Sequence, residues 1–449
     1  MAQNSERLIE FLANVAEHVV DAPGQEPWNY GWCLTEYRES PAATLEGPGG
    51  PVTIEPSARQ RFEEAVGLLS REPAVRDRWD LEELWGVVAS RVVAAAATSD
   101  PKAQLATDIA SLRRAETNLI LMAVANVVPP ASPLLVADCV IGEAGDAFLQ
   151  SVNEAAGSRP RCRPQILNAL CKRYPHDHGP IVLAAYWTRA QANLAVERAK
   201  EHLRTLLDVA LLLETDPGSL GMHSLRGPTS RPGTRGLIVH RPALEFAMRE
   251  LGSKAELAAE VVVASREDTR SQIGWFSSDP VPIDGLLSNS ERRNLVDRCV
   301  REASPVARRV RLAGRWYAEA HWASDRVDAV LALGIALDAL IGSRAGLPGR
   351  AMKERFAFLE PDPAQRSERA RRYSEIFGVR SAIAHGSTSS ALEESGFVRS
   401  VSQDVVWTAR RMLALDELFA PTSDKQLDEV FEDLRWGTSQ WKTVSLDAS

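Results

Sequence analysis

Two side chains near the end of the segment "RRYSEIFGVRSAIAHGSTSS" could do chemistry together. Arg380 is a permanent cation whose planar fork can hold phosphate oxygens, and His385, five positions on, can take or give a proton near neutral pH. The pair reads either as nuclease machinery or as a surface arginine beside a packed histidine. Spacing alone does not choose, because Arg-x4–6-His also occurs at Arg173/His178, Arg235/His240 and Arg315/His321. The first of these crosses a Pro-containing turn, and the second lies in a β-like run. The third is helical but flanked by Trp316, Tyr317 and Trp322, so aromatic packing accounts for it.

Five residues on a straight helix turn the direction by about 140°. Arg380 and His385 therefore converge on one cleft only if the helix ends between or just after them, or if a second copy completes the site. Gly386 supplies a helix stop directly after His385. Ala382, Ile383 and Ala384 keep the wall between them small and leave room for a partner surface. An upstream helix adds a carboxylate: in "VDAVLALGIALDALIG", Val327, Leu331, Gly334, Asp338 and Ile341 form an apolar stripe at 4-3-4-3 spacing, with Asp338 on it. An acid there needs a partner such as Arg380 or His385, or must reach the bundle edge and solvent, because an unpaired buried charge is costly.

Other chemistries are weakly signalled. The chain has no P-loop, no GxGxxG after a strand, no GxSxG and no HExxH. "YPHDHGP" places His176, Asp177 and His178 in a loop; without further ligands they read as a polar turn, and neither metal nor cofactor is expected. "RAMKER" reads as a solvated helix face. Five scattered cysteines (Cys33, Cys139, Cys162, Cys171, Cys299) without a CxxC suggest a reduced, cytoplasmic protein.

The positioning elements follow from hydrophobic period and breakers. At 449 residues, 45% hydrophobic and 25% charged, the chain has the composition of a globular protein of two or three domains. No apolar run reaches the about 18 residues of a membrane span, and the amphipathic start lacks an export signal, so no membrane association is expected. The net charge of −8 means that nucleic-acid binding would need a local basic patch.

Residues 1–20 and 58–98 predict helices around a Gly/Pro loop, "LEGPGGPVTIEP". "SPLLVADCVIG" and "GPIVLAAYW" predict strands, and "TNLILMAVANVVPP" a strand or a buried helix. A long helix follows in "TRAQANLAVERAKEHLRTLLDVALLLE", and "LGMHSL" and "RGLIVHRP" read as strands. From 291 onward the signal is helical, with Ser324 as the expected N-cap of the Asp338 helix and long antiparallel neighbours at 324–342, 362–385 and 390–419. The fold class is α+β: a mainly helical region over 1–112, a mixed α/β domain over 113–290 and an all-α bundle over 291–449.

These C-terminal elements resemble the HEPN superfamily (higher eukaryotes and prokaryotes nucleotide-binding), specifically its bacterial ApeA-like branch. The resemblance covers about residues 295–420. It rests on "RVDAVLALGIALDALIG", on "LAGRWYAEAHWASDR" before it, and on "YSEIFGVRSAIAHG", which matches the family's Tyr, Arg-Ser, apolar pair or triplet and His-Gly at Tyr373, Arg380, Ser381 and His385. The family usually has Glu where this chain has Asp338. The resemblance implies a helical bundle that dimerises through the Arg/His helices, and a metal-independent ribonuclease of toxin or anti-phage systems. His385 would transfer protons and Arg380 would stabilise the phosphorane, with Asp338, Tyr373 and Ser381 in support and 2′,3′-cyclic phosphate ends as product. The implied partners are RNA, a second copy and a phage-derived or regulatory trigger. HEPN bundles also serve as non-catalytic dimerisation, partner-binding or sensor modules, which is the alternative.

Overall fold

The computed structural model describes residues 2–21, 44–47, 50–114, 117–125, 127–173, 181–190, 192–214, 233–240, 261–262, 281–287, 289–321, 323, 325–342, 349–387, 389–394, 396–437 and 441. The chain divides into two compact units, the first including Met1–Ile120 and Trp187–Ala199, the second including Leu121–Tyr186, Lys200–Ile238 and the C-terminal helices. The segment 113–290 is thus shared between them.

In the first unit, α1 (Ala2–Ala16) precedes β1 (Val19–Asp21), β2 (Thr44–Gly47) and β3 (Gly50–Ile54), followed by α2 (Pro56–Arg71), α3 (Pro73–Arg76), α4 (Leu81–Ala96) and α5 (Pro101–Arg113). The expected loop "LEGPGGPVTIEP" is instead largely sheet: β2 and β1 pair antiparallel on either side of β3. Gly and Pro disfavour a strand, but here backbone pairing on both edges of β3 outweighs local preference. Leu8, Leu12, Phe62, Leu69, Trp85, Leu105 and Ile109 close the core, with Phe62 edge-on to Trp85 at 4.9 Å.

The second unit holds all or most of β4 (Asn118–Ala125), β5 (Val127–Val128), β6 (Leu134–Val136), β7 (Cys139–Glu143), α6 (Asp146–Ala156), α7 (Pro164–Arg173), β8 (Val182–Thr188), α8 (Ala192–Leu212), β9 (Gly233–His240), β10 (Val261–Val262) and β11 (Val281–Pro282); β4, β8, α8 and β9 each have residues assigned to the first. Strands β10-β9-β4-β8-β7-β6 form one sheet, antiparallel from β8 through β7 to β6. The run "TNLILMAV" is a strand; its consecutive buried residues fit a sheet covered on both faces. "LGMHSL" and the His176/Asp177/His178 loop lie outside the described residues.

Strands β6 and β7 join through Ala137 and Asp138, both at positive φ, 48° and 61°. The tip is held from several sides: Ala137 N–H donates to Asp297 at 2.7 Å, His202 donates to the Ala137 carbonyl at 2.6 Å, and Asp138 pairs with Arg159 and Arg301.

The rest of this unit is helical, as expected: α9 (Ile283–Leu287), α10 (Ser290–Arg301), α11 (Pro305–His321), α12 (Arg326–Ile341), α13 (Gly349–Phe358), α14 (Arg366–Ala384), α15 (Phe397–Phe419) and α16 (Asp424–Trp436). Short 3₁₀ turns at Pro363–Gln365 and Ser390–Glu393 replace the expected first turns of α14 and α15. The α12 N-cap is Asp325, which accepts from the Asp328 N–H, and not Ser324. Helix α12 buries Ala329, Val330, Leu333, Ala336, Leu337 and Leu340 among α11, α13, α14 and α15.

The C-terminal end of α12 is clamped by two buried arginines. Arg309 donates to the carbonyls of Leu340 and Gly342 and pairs with Asp424. Arg355 donates to Ile341 and Gly342, pairs with Asp428 at 2.7 Å and lies over the Phe431 ring. Both cations meet the negative end of the helix dipole while satisfying its orphan carbonyls. No described helix is long and apolar enough to cross a membrane.

Candidate functional site

Arg380 sits near the C-terminal end of α14, which packs against α12. Its Nη1 donates to Oδ2 of Asp338, so the acid read on an apolar stripe does meet an arginine. The stripe itself is not the core face. Val327 is 41% exposed and Leu331 and Asp338 are half-buried, whereas Gly334 and Ile341 are buried, so the stripe runs along the edge of the core face.

Gly334 explains the approach of Arg380. A methyl group there would fall 2.6 Å from Cδ, 3.2 Å from Nε and 3.3 Å from Cγ of Arg380. The arginine stem lies across the bare backbone at Gly334, and its head reaches Asp338 one turn further along. Sequence reasoning missed this cradle; the available signal was a small residue four positions before the acid, on the same helix face.

The two side chains of the pair are 27% and 30% exposed. Burial foremost raises the Asp338 carboxyl above its ordinary range, and Arg380 opposes that shift through its charge and hydrogen bond. Asp338 engages Nη1 only. Among the described residues Nε and Nη2 of Arg380 have no protein acceptor, so part of its donor fork remains for a ligand.

Helix α14 ends as expected at Gly386, with φ 75°. Gly386 N–H donates to Ile383 O at 2.9 Å and Ser387 N–H to Ala382 O at 2.8 Å, the paired bonds of a Schellman cap. His385 is the last residue before this left-handed turn and is exposed. Among the described residues its imidazole makes no hydrogen bond, and no bond joins it to Arg380 or Asp338. Ser381 is half-buried, and its carbonyl accepts from the His385 N–H at 3.1 Å.

Tyr373 is buried, stacked on Phe377 at 6.2 Å and tilted against Phe356 at 5.6 Å. Burial foremost pushes its hydroxyl well above the ordinary range; nearby Asp338 adds to this and Arg380 opposes it. It is a neutral aromatic group near the ion pair.

The rival Arg/His pair on α11 does not act as one. His321 is buried, and burial pushes it down to about 4, whereas Arg315 is exposed. Arg315 instead lines a cleft of about 420 Å³ between α11 and α12, with Trp316, Glu319, Ala323, Asp328, Leu331, Ala332 and Ile335. Among the described residues no cluster of three or more His, Cys, Asp or Glu could hold a metal. Cys139, Cys162 and Cys299 are buried free thiols, each pushed up to about 12 mainly by burial, which makes them poor nucleophiles.

No family model matches this chain, and no curated protein or solved structure matches it.

Proposed function

We propose that this protein is a metal-independent endoribonuclease of the HEPN type, of the kind used in toxin and anti-phage systems, acting as a homodimer. The observation that carries the reading is the Arg380 guanidinium: seated on Gly334, tied at one nitrogen to Asp338 and part-exposed on the helix whose end bears His385. A phosphate-binding arginine needs a fixed position and free donors, and this one has both.

Cleavage requires three acts. A base takes the proton of the ribose 2′-OH as that oxygen attacks phosphorus; a cation steadies the dianionic phosphorane; an acid protonates the departing 5′-oxygen. His385 serves in proton transfer and Arg380 at the phosphorane. With two copies related by a two-fold axis, each helix end supplies part of a shared groove, so the 140° divergence within one helix is no obstacle. The products are a 2′,3′-cyclic phosphate and a 5′-hydroxyl.

The non-catalytic alternative, a dimerisation or sensor module, draws on the same contacts. An arginine packed over a glycine and paired with an acid also serves structure alone, and His385 has no orienting hydrogen bond among the described residues. Incubating the purified protein with total RNA and tRNA in EDTA, beside His385→Ala and Arg380→Ala, decides between them. Cleavage in EDTA that both variants lose, with folding and dimerisation intact, is the expected result. Arg380→Lys is also expected to be poor, since a point charge lacks the fork. A monomer in sedimentation, or unchanged cleavage by His385→Ala, overturns the mechanism.

A further inference from the structure

The α11/α12 cleft is not used by the chemistry above, yet it adjoins it. Leu331 and Ile335 on its floor share a face of α12 with Asp338. Leu331 and Asp338 are seven residues apart, about 10 Å along the helix axis, a span that a dinucleotide covers. At about 420 Å³ the cleft has the size of a small-ligand pocket.

Its lining is specific in kind. Leu331, Ala332 and Ile335 give an apolar floor, and Trp316, half-buried, gives an aromatic wall. Three charges stand around it. Glu319 is already paired with Arg204 at 2.9 Å. Asp328, in the first turn of α12, is exposed, and among the described residues its carboxylate has no cation or donor partner. Arg315 beside it is likewise exposed and without an ion pair among those residues. Two carboxylates make the cleft a poor place for a phosphate. A flat ring carrying N–H donors suits it: the indole stacks on the ring, and a carboxylate accepts from two adjacent donors at once.

We infer that this cleft is a nucleobase subsite of the RNA groove and that it takes guanine. Trp316 stacks on the base, Asp328 accepts from its N1–H and exocyclic N2–H, and Arg315 meets the backbone of the same nucleotide. Guanine alone among the four bases presents two parallel donors on that edge; adenine, cytosine and uracil present one. This rests on the ribonuclease reading for its place in the reaction, since the base would lie next to the phosphate held by Arg380.

Mononucleotides test the subsite apart from cleavage. Full-length protein titrated calorimetrically with GMP, AMP, CMP and UMP is expected to favour GMP. Trp316→Ala should weaken GMP binding tenfold or more, Trp316→Phe should largely retain it, and Asp328→Asn should cut the GMP-over-AMP preference about tenfold. In total RNA, cut sites should lie beside guanosine in the wild type and lose that preference in Asp328→Asn. If RNA is cut but neither variant changes nucleotide binding or cut-site sequence, the subsite is wrong and the ribonuclease reading stands. If GMP binding behaves as expected while no RNA is cut, the ribonuclease reading fails and the base site stands. If Trp316→Phe and Trp316→Ala disrupt self-association and leave GMP binding unchanged, the cleft is an interface between copies and the inference is overturned.

Discussion

At the scale of single residues, Gly334 separates stability from activity. Alanine is a better helix former than glycine by up to about 1 kcal/mol, but its methyl would displace the Arg380 stem. Gly334→Ala is expected to keep the thermal midpoint within a few degrees while cleavage falls about tenfold or more, because a small shift of a positioning group is costly in rate. Unchanged cleavage would remove Arg380's placement from the mechanism. His321 makes a second residue-scale prediction. Its folded value of about 4 lies below the about 6.5 of an unfolded histidine. The unfolded chain therefore binds the proton first, and stability falls as pH drops through that window, by up to about 3 kcal/mol across it. Burial raises the Asp404 and Asp416 carboxyls, which works in the opposite sense on acidification. Denaturant midpoints of wild type and His321→Gln compared from pH 7 to pH 4 isolate the histidine, and equal slopes would refute this. The Asp338–Arg380 contact was legible in the sequence because a carboxylate on an apolar stripe needs a cation. The cradle was not, because a glycine inside a stripe looks the same whether a side chain crosses it or not.

At the scale of elements, α12 is held by its end as well as by its core. Replacing Arg355 with leucine leaves the Ile341 carbonyl at the α12 terminus without its arginine donor, Gly342 with Arg309 alone, and Asp428 without its cation. The expected loss is about 2–4 kcal/mol in urea unfolding with an unchanged m-value. Asp428→Asn should cost under about 1 kcal/mol, since that carboxylate is 40% exposed. Comparable losses in the two variants would mean that the ion pair, and not the helix end, is what Arg355 serves. The helices of this region could be read from period and breakers, because Pro305 and Gly386 mark boundaries by local sterics and capping. The β1–β3 sheet could not: β3 begins Gly-Pro, and what makes it a strand is pairing with β1, about thirty residues away. The choice of Asp325 over Ser324 as cap was equally closed to reading, since either type can cap and only geometry picks the one that reaches the Asp328 N–H.

At the scale of the molecule, a net charge of −8 sets how RNA would be held under the proposed function. Many arginines of the helical bundle are already committed: Arg369 and Arg372 to Asp404, Arg309 to Asp424, Arg355 to Asp428. Attraction by bulk charge is absent, so on the ribonuclease reading binding would come from a few local contacts and from stacking. The affinity of the His385→Ala protein for a short single strand is expected to fall only shallowly with salt, at about −0.7 in log–log slope per phosphate held and no more than a few phosphates in all. A steep slope would point to a broad basic track. Domain limits were the least legible feature. The mixed segment reads as one block in sequence, but the chain enters the first unit again at Trp187–Ala199, a return that no local pattern announces.

The Ala137–Asp138 tip of the β6–β7 hairpin has a consequence for slow dynamics. Its amide is bound not to a strand but to Asp297 on α10, and its carbonyl to His202 on α8. Deuterium can replace the Ala137 proton only when that grip on α10 lets go. The exchange rate of this one amide therefore times the parting of hairpin from helix, and should respond to Asp297→Ala far more than do the amides paired within β7 and β8.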